Sequence, residues 1–175
     1  MLTMKQKMDA HKIALMGLLI AMVIVLTRIF VFDTTFLRIS FQFVPEMLMG
    51  MLFGPFWSGV GAGLADVIGM GFFAKAPYFP GFTLNAVIGG LLYGWFFYRK
   101  EVTVKSAFLV TLINTLLITL ILTPLWLHMM YQVPLNWAFW SVRLAKAAVM
   151  LPVQTTMLYY VGRAIPYKRL AKRFA

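Results

Sequence analysis

Long apolar runs broken by Gly and Pro make up most of the chain, and polar residues gather in short clusters between them. Read with that punctuation, the pattern predicts helices over 12–32, 41–53, 56–73, 83–98, 106–127 and 137–161. A helix needs about 20 apolar residues to cross hydrocarbon, and most of these runs are near that length. The second covers only roughly 20 Å, so it is expected to start below the outer surface and turn into the third at Gly54-Pro55. The expected fold class is all-α: a polytopic membrane protein, a six-transmembrane-helix bundle forming one membrane-embedded domain over residues 1–175.

Composition points the same way. The chain is 62% hydrophobic and 12% charged, whereas soluble domains carry about 25% charged residues. A net charge of +11 raises nucleic acid as a partner, but the placement of the basic residues argues against it. Lys5, Lys7 and Lys12 precede the first run, Arg99, Lys100 and Lys105 lie between the fourth and fifth, and Arg163, Lys168, Arg169, Lys172 and Arg173 follow the last. This is the positive-inside distribution, and it predicts a multi-pass protein of the bacterial cell membrane with both termini cytoplasmic. Arg38 and Lys75 fall in the opposite loops. The first run resembles a signal sequence but lacks a small-residue cleavage site near Thr27-Arg28-Ile29-Phe30, so it reads as an uncleaved span. The basic tail is expected to rest on anionic membrane lipid.

Small residues four apart let backbones approach closely in lipid. Gly50 and Gly54, Gly59 and Gly63, and Gly90 and Gly94 form such pairs and are expected to be internal packing. Ala10, Ala14, Gly17 and Ala21 form another set near the cytoplasmic end of the first helix, where they suit an external docking face. Thr111, Thr115, Thr119 and Thr123 make a ridge on the fifth helix, whose hydroxyls are expected to return to their own i−4 carbonyls.

A charge within the bilayer costs about 2.5–3.5 kcal/mol on insertion scales, so each one asks for a partner, a cavity or a function. Arg28, Glu46, Asp66, Arg143 and Lys146 all fall in the outer half of predicted spans. Arg143, Lys146, Met150 and Gln154 follow i, i+3, i+7, i+11 and therefore share one stripe of the last helix. Ion pairs such as Asp66 with Arg143 and Glu46 with Arg28 would leave one cation over, and an anionic ligand would match it. Near these charges the sequence supplies Phe30, Phe32, Phe36, Phe41 and Phe43, then Tyr78, Phe79, Phe82, Asn85, Trp126 and Trp137. That mixture fits an aromatic, anionic small molecule, and the segment 73–82, with two Pro and Gly81, fits a lid over it.

Several classes drop out. The chain has no Cys and only His11 and His128, which excludes thiolate chemistry and makes a metal centre unexpected. It contains no P-loop, no H-E-x-x-H and no G-x-S-x-G. It is expected to bind without catalysing, as a transport subunit that uses no cofactor and takes its energy from elsewhere.

The motifs Arg38-Ile39-Ser40-Phe41-Gln42-Phe43-Val44-Pro45, Leu52-Phe53-Gly54-Pro55, Gly63-Leu64-Ala65-Asp66 and Tyr78-Phe79-Pro80-Gly81-Phe82-Thr83 resemble the folate-specific S components of energy-coupling factor (ECF) vitamin transporters. The resemblance runs from about residue 10 to 165. It implies a binding subunit that captures folate or reduced folates from outside, closes loops 1 and 3 over them, and works with a transmembrane coupling subunit and two cytosolic ATPases. It places Ala10, Ala14, Gly17 and Ala21 against the coupling subunit. Glu46 stands where the family pattern has an apolar residue. A pterin ring would stack on Phe79 and Phe82 near Tyr78 and Trp126, its amino-pyrimidine edge would meet Asp66 or Asn85, and its glutamate tail would meet Arg28, Arg143 or Lys146. The alternatives are riboflavin or thiamine as the vitamin, a small proton-coupled secondary transporter working through Asp66 or Glu46, and a non-transport membrane scaffold whose buried charges are only structural pairs.

Overall fold

The first apolar run ends as a helix at Arg28, four residues short of the expected boundary, and the β-branched and aromatic stretch after it turns into a hairpin. In the computed structural model, which describes residues 9–33, 38–73, 77–134 and 136–165, α1 spans Ala10–Arg28. Strands β1 (Val31–Asp33) and β2 (Arg38–Ser40) then pair antiparallel, with Val31 opposite Ser40. This hairpin is a departure from the purely helical expectation. Lys5, Lys7, Phe36, Lys75 and the basic tail beyond 165 lie outside the described residues.

The expected second and third helices form one element, α2 (Phe43–Phe72), bent at Gly54. Gly54 adopts φ 82° and ψ 178°, a conformation open to Gly and costly for residues with a Cβ. Pro55 follows it and cannot donate the backbone hydrogen bond that would keep the helix straight. Next come α3 (Pro80–Phe97), α4 (Val104–Asn114), a π-helical stretch over Thr115–Leu122, α5 (Thr123–Tyr131) and α6 (Trp137–Ala164). From Val104 to Tyr131 the last three of these before α6 make one 28-residue rod. Among the described residues, α1, α2 and this rod are long and apolar enough to cross a membrane.

In lipid, apolar surface gives little net drive for helices to associate, so close packing and internal polar contacts must hold the bundle. The paired glycines supply the closest packing. A Cβ on Gly50 would stand 2.7 Å from the backbone of Tyr93 and Gly94, and one on Gly90 would stand 2.5 Å from the Ser58 carbonyl. The α2–α3 interface is thus backbone on backbone, as the spacing predicts. Two apolar clusters flank it. One joins Phe43, Met47 and Met51 to Tyr93, Phe97, Val110 and Leu158, and the other joins Met16, Leu19 and Val23 of α1 to Met49 and Phe53. Leu18, Phe56, Trp95, Ile121 and Val149 point outward, which suits a lipid-facing surface.

Candidate functional site

A cavity of about 570 Å³ opens between α2, α3, the π-helical stretch and α6. Among the residues singled out from the sequence, Arg28, Asp66, Phe82, Asn85, Arg143 and Lys146 line it, together with Glu46. Met150 and Gln154 line it as well, so the stripe on α6 faces inward as its spacing predicts. Tyr78, Phe79 and Trp126 are not part of that lining, and Tyr78 is half exposed. Phe79 packs its ring 6.1 Å from that of Phe82 and 5.6 Å from that of Trp126.

The charges pair differently from the expectation. Arg28 Nη2 meets Asp66 Oδ1 at 3.3 Å, in place of the Asp66–Arg143 and Glu46–Arg28 pairs. Gly69 explains the geometry: a Cβ there would stand 2.9 Å from Arg28 Nε, so the bare face of α2 gives the guanidinium a seat one turn beyond Asp66. Thr83 donates to the other carboxylate oxygen of Asp66 at 2.8 Å, and the Tyr78 hydroxyl lies 3.1 Å from Thr83 Oγ1. Asp66 thereby ties α1 to α2 and α3.

Arg143 is placed by a proline on another helix. In the π-helical stretch Thr123 N–H bonds to the Ile118 carbonyl, five residues back, so it does not serve Thr119. The next amide in that register belongs to Pro124, which has no N–H. The Thr119 carbonyl is left to a side chain, and Arg143 Nη1 donates to it at 3.0 Å. The same guanidinium sits 4.6 Å from the centre of the Phe139 ring, a cation–π distance. Its Nε is buried with no hydrogen-bond partner among the described residues. The threonine ridge accordingly splits in role. Thr111 returns its hydroxyl to the Ala107 carbonyl at 2.8 Å and Thr123 returns its own to the Ile118 carbonyl, five residues back, at 2.7 Å, while Thr115, Thr119 and Thr123 line the cavity.

The amide of Asn85 is engaged at both ends, donating to Thr123 Oγ1 at 3.3 Å and accepting from Trp126 Nε1 at 3.1 Å. Asp66 and Asn85, the groups expected to read a ring edge, therefore already hold bonds within the protein.

The family described as "ECF transporter, substrate-specific component" matches residues 11–166. The chain belongs to that family. It is 40% identical over 160 residues to the folate transporter FolT of Clostridium novyi (strain NT), covering 91% of this chain and 92% of that protein. It is 34% identical over 160 residues to the folate transporter FolT of Leuconostoc mesenteroides subsp. mesenteroides, covering 89% and 86%. A crystal structure of FolT bound with folic acid superposes with a TM-score of 0.86 at 54% identity, covering 90% of this chain and 94% of that one. As a substrate-specific component the protein is a transport subunit and not an enzyme.

Two further residues of this S component line the cavity without having stood out in the sequence. Tyr93 is fully buried on α3, and its hydroxyl accepts from Asn114 Nδ2 of α4 at 3.3 Å. Asn114 Oδ1 is buried with no hydrogen-bond partner among the described residues. The signal available was Asn114 itself, an amide inside an apolar run, where a polar group needs a reason. Ala10, Ala14, Gly17 and Ala21 of the S component are all exposed along α1. A Cβ on Gly17 would meet nothing within 4 Å.

Proposed function

We propose that this S component captures folate from outside the cell and delivers it, with partner subunits, for ATP-driven uptake. The observation that carries the reading is the cavity itself. It has the size and the mixed apolar and polar lining of a small-molecule site, in a chain 54% identical to a FolT solved with folic acid. The pterin ring stacks by Phe82, backed by Phe79, Trp126 and Tyr78, and Asp66 and Asn85 hold the shape of that wall. The glutamate tail meets the cations of α6, Arg143 and Lys146, with Arg28 nearby. No cofactor takes part, and folate or a reduced folate is the cargo.

In this reading the two arms of α2 count as separate crossings. With α1, α3, the Val104–Tyr131 rod and α6 they make six, in a single membrane-embedded domain. Both termini then lie in the cytoplasm of a bacterial cell, where Arg99, Lys100, Lys105 and Arg163 meet anionic lipid. A transmembrane coupling subunit docks on Ala10, Ala14, Gly17 and Ala21, and two cytosolic ATPases supply the energy.

Reconstitution tests this division of labour. Vesicles holding the S component with its coupling subunit and ATPases should accumulate folate when given ATP and should ignore a proton uncoupler. Uptake by the S component alone, abolished by the uncoupler, would instead establish a proton-coupled carrier. Gly17→Leu adds bulk to the open face of α1 without touching the cavity. We expect its folate affinity to stay within about twofold of the wild type while copurification with the coupling subunit and uptake fall at least tenfold, because small-residue contacts depend on close backbone approach. Full uptake by Gly17→Leu would remove the docking assignment.

A further inference from the structure

Glu46 is the charged group of the cavity that the preceding reading leaves unused. It is 4% exposed, and its carboxylate makes no hydrogen bond or ion pair among the described residues. Burying a carboxylate without hydrogen-bonding partners is expensive, so its place on the cavity wall asks for a donor from the ligand. Its surroundings show where that donor would sit. Gly89 has no side chain, and the point where its Cβ would stand lies 3.9 Å from Glu46 Oε2 and 3.8 Å from Asn114 Oδ1. With Ile118 Cδ1 at 3.6 Å, a carboxylate and an unpartnered amide oxygen therefore border a gap of about one methyl group on the cavity wall, both offering acceptors.

Resting on the folate reading above, we propose that Glu46 is the specificity residue that reads the 2-amino-4-oxopyrimidine edge of the ring across the opening at Gly89. That edge presents two adjacent N–H donors, on the 2-amino group and on N3, which match the two oxygens of a carboxylate in a paired, charge-assisted arrangement. Asp66 and Asn85 are less suited to the task, because Arg28, Thr83, Thr123 and Trp126 already occupy their polar atoms. The same wall selects against an isoalloxazine ring, whose N3–H is flanked by two carbonyl oxygens that a carboxylate repels. Discrimination thus comes as much from what Glu46 rejects as from what it binds.

The test combines a change in the ligand with a change in the protein. Wild-type protein in detergent is titrated with folic acid and with its 2-desamino analogue, and Glu46→Gln is titrated with the same pair. A hydrogen bond to a charged group predicts that the wild type loses about 10- to 100-fold in affinity for the analogue. Glu46→Gln should bind folic acid weaker by a similar factor and should distinguish the two ligands less than the wild type does, because the amide keeps one acceptor oxygen but loses the charge and the second. Equal affinity of the wild type for both ligands would overturn the assignment, as would an undiminished preference in Glu46→Gln. Failure of the wild type to bind folic acid at all would instead strike the folate reading on which the assignment rests.

Discussion

Replacing Arg143 with methionine should weaken folate binding by about 30-fold to several thousandfold, the equivalent of about 2–5 kcal/mol for truncating one member of a buried, hydrogen-bonded charge pair. Methionine keeps much of the apolar stem, so the loss reports the guanidinium. That group does two things at once. It satisfies the Thr119 carbonyl, which the π register and Pro124 leave without a backbone donor, and it faces the cavity beside Lys146. The same substitution should therefore also destabilise the protein, by about 1–3 kcal/mol for one buried acceptor left unsatisfied. Arg143→Lys separates the two roles. A lysine keeps the charge but loses the planar fork, so it should recover part of the affinity and less of the stability. Isothermal titration together with thermal unfolding reads both. Wild-type affinity in Arg143→Met would refute the assignment of the folate tail to α6.

Asp66→Asn should lower the thermal midpoint, because it removes the carboxylate that meets the buried guanidinium of Arg28 at 3.3 Å. Breaking a fully buried pair from one side costs about 3–5 kcal/mol, and with Asp66 keeping a fifth of its side-chain surface the expected loss is roughly 2 kcal/mol. For a chain of this length that corresponds to about 4–8 °C. Replacing both partners, as Arg28→Met with Asp66→Leu, should restore most of the midpoint, since neither member of the pair is then left as an uncompensated charge. The double variant should still bind folate weakly if Arg28 also faces the ligand. A midpoint unchanged in Asp66→Asn would show that the pair carries no stability.

What could be read in the sequence follows the range over which each signal acts. The stripe from Arg143 to Gln154 depends on helical periodicity alone, and all four of its members face the cavity. The bend at Gly54-Pro55 and the glycine pairs of α2 and α3 are equally local, since backbone freedom and the absence of a Cβ belong to the residue. The pairing of charges is not local. It depends on which face of α2 meets α1, and Gly69, which seats Arg28, reads in the sequence as one small residue among many. The hairpin after Arg28 hides in an apolar run that continues without interruption through Val31 and Phe32. The π register is hidden in another way: Thr123-Pro124 announces a missing donor, but periodicity does not say that the bond five residues back will replace the usual one. Tyr93 and Asn114 acquire their relation only when α3 packs on α4.

Whether this cavity captures folate is read by the tryptophan fluorescence of the purified protein in detergent, corrected for ligand absorbance. The chain has five tryptophans, and Trp126 is hydrogen-bonded to the cavity residue Asn85. Folic acid, 5-formyltetrahydrofolate, riboflavin and thiamine would be titrated in turn. Saturable quenching by the folates alone, complete in the nanomolar to low micromolar range, is the predicted result. No response to either folate from well-folded protein, or saturation by riboflavin or thiamine instead, would contradict it.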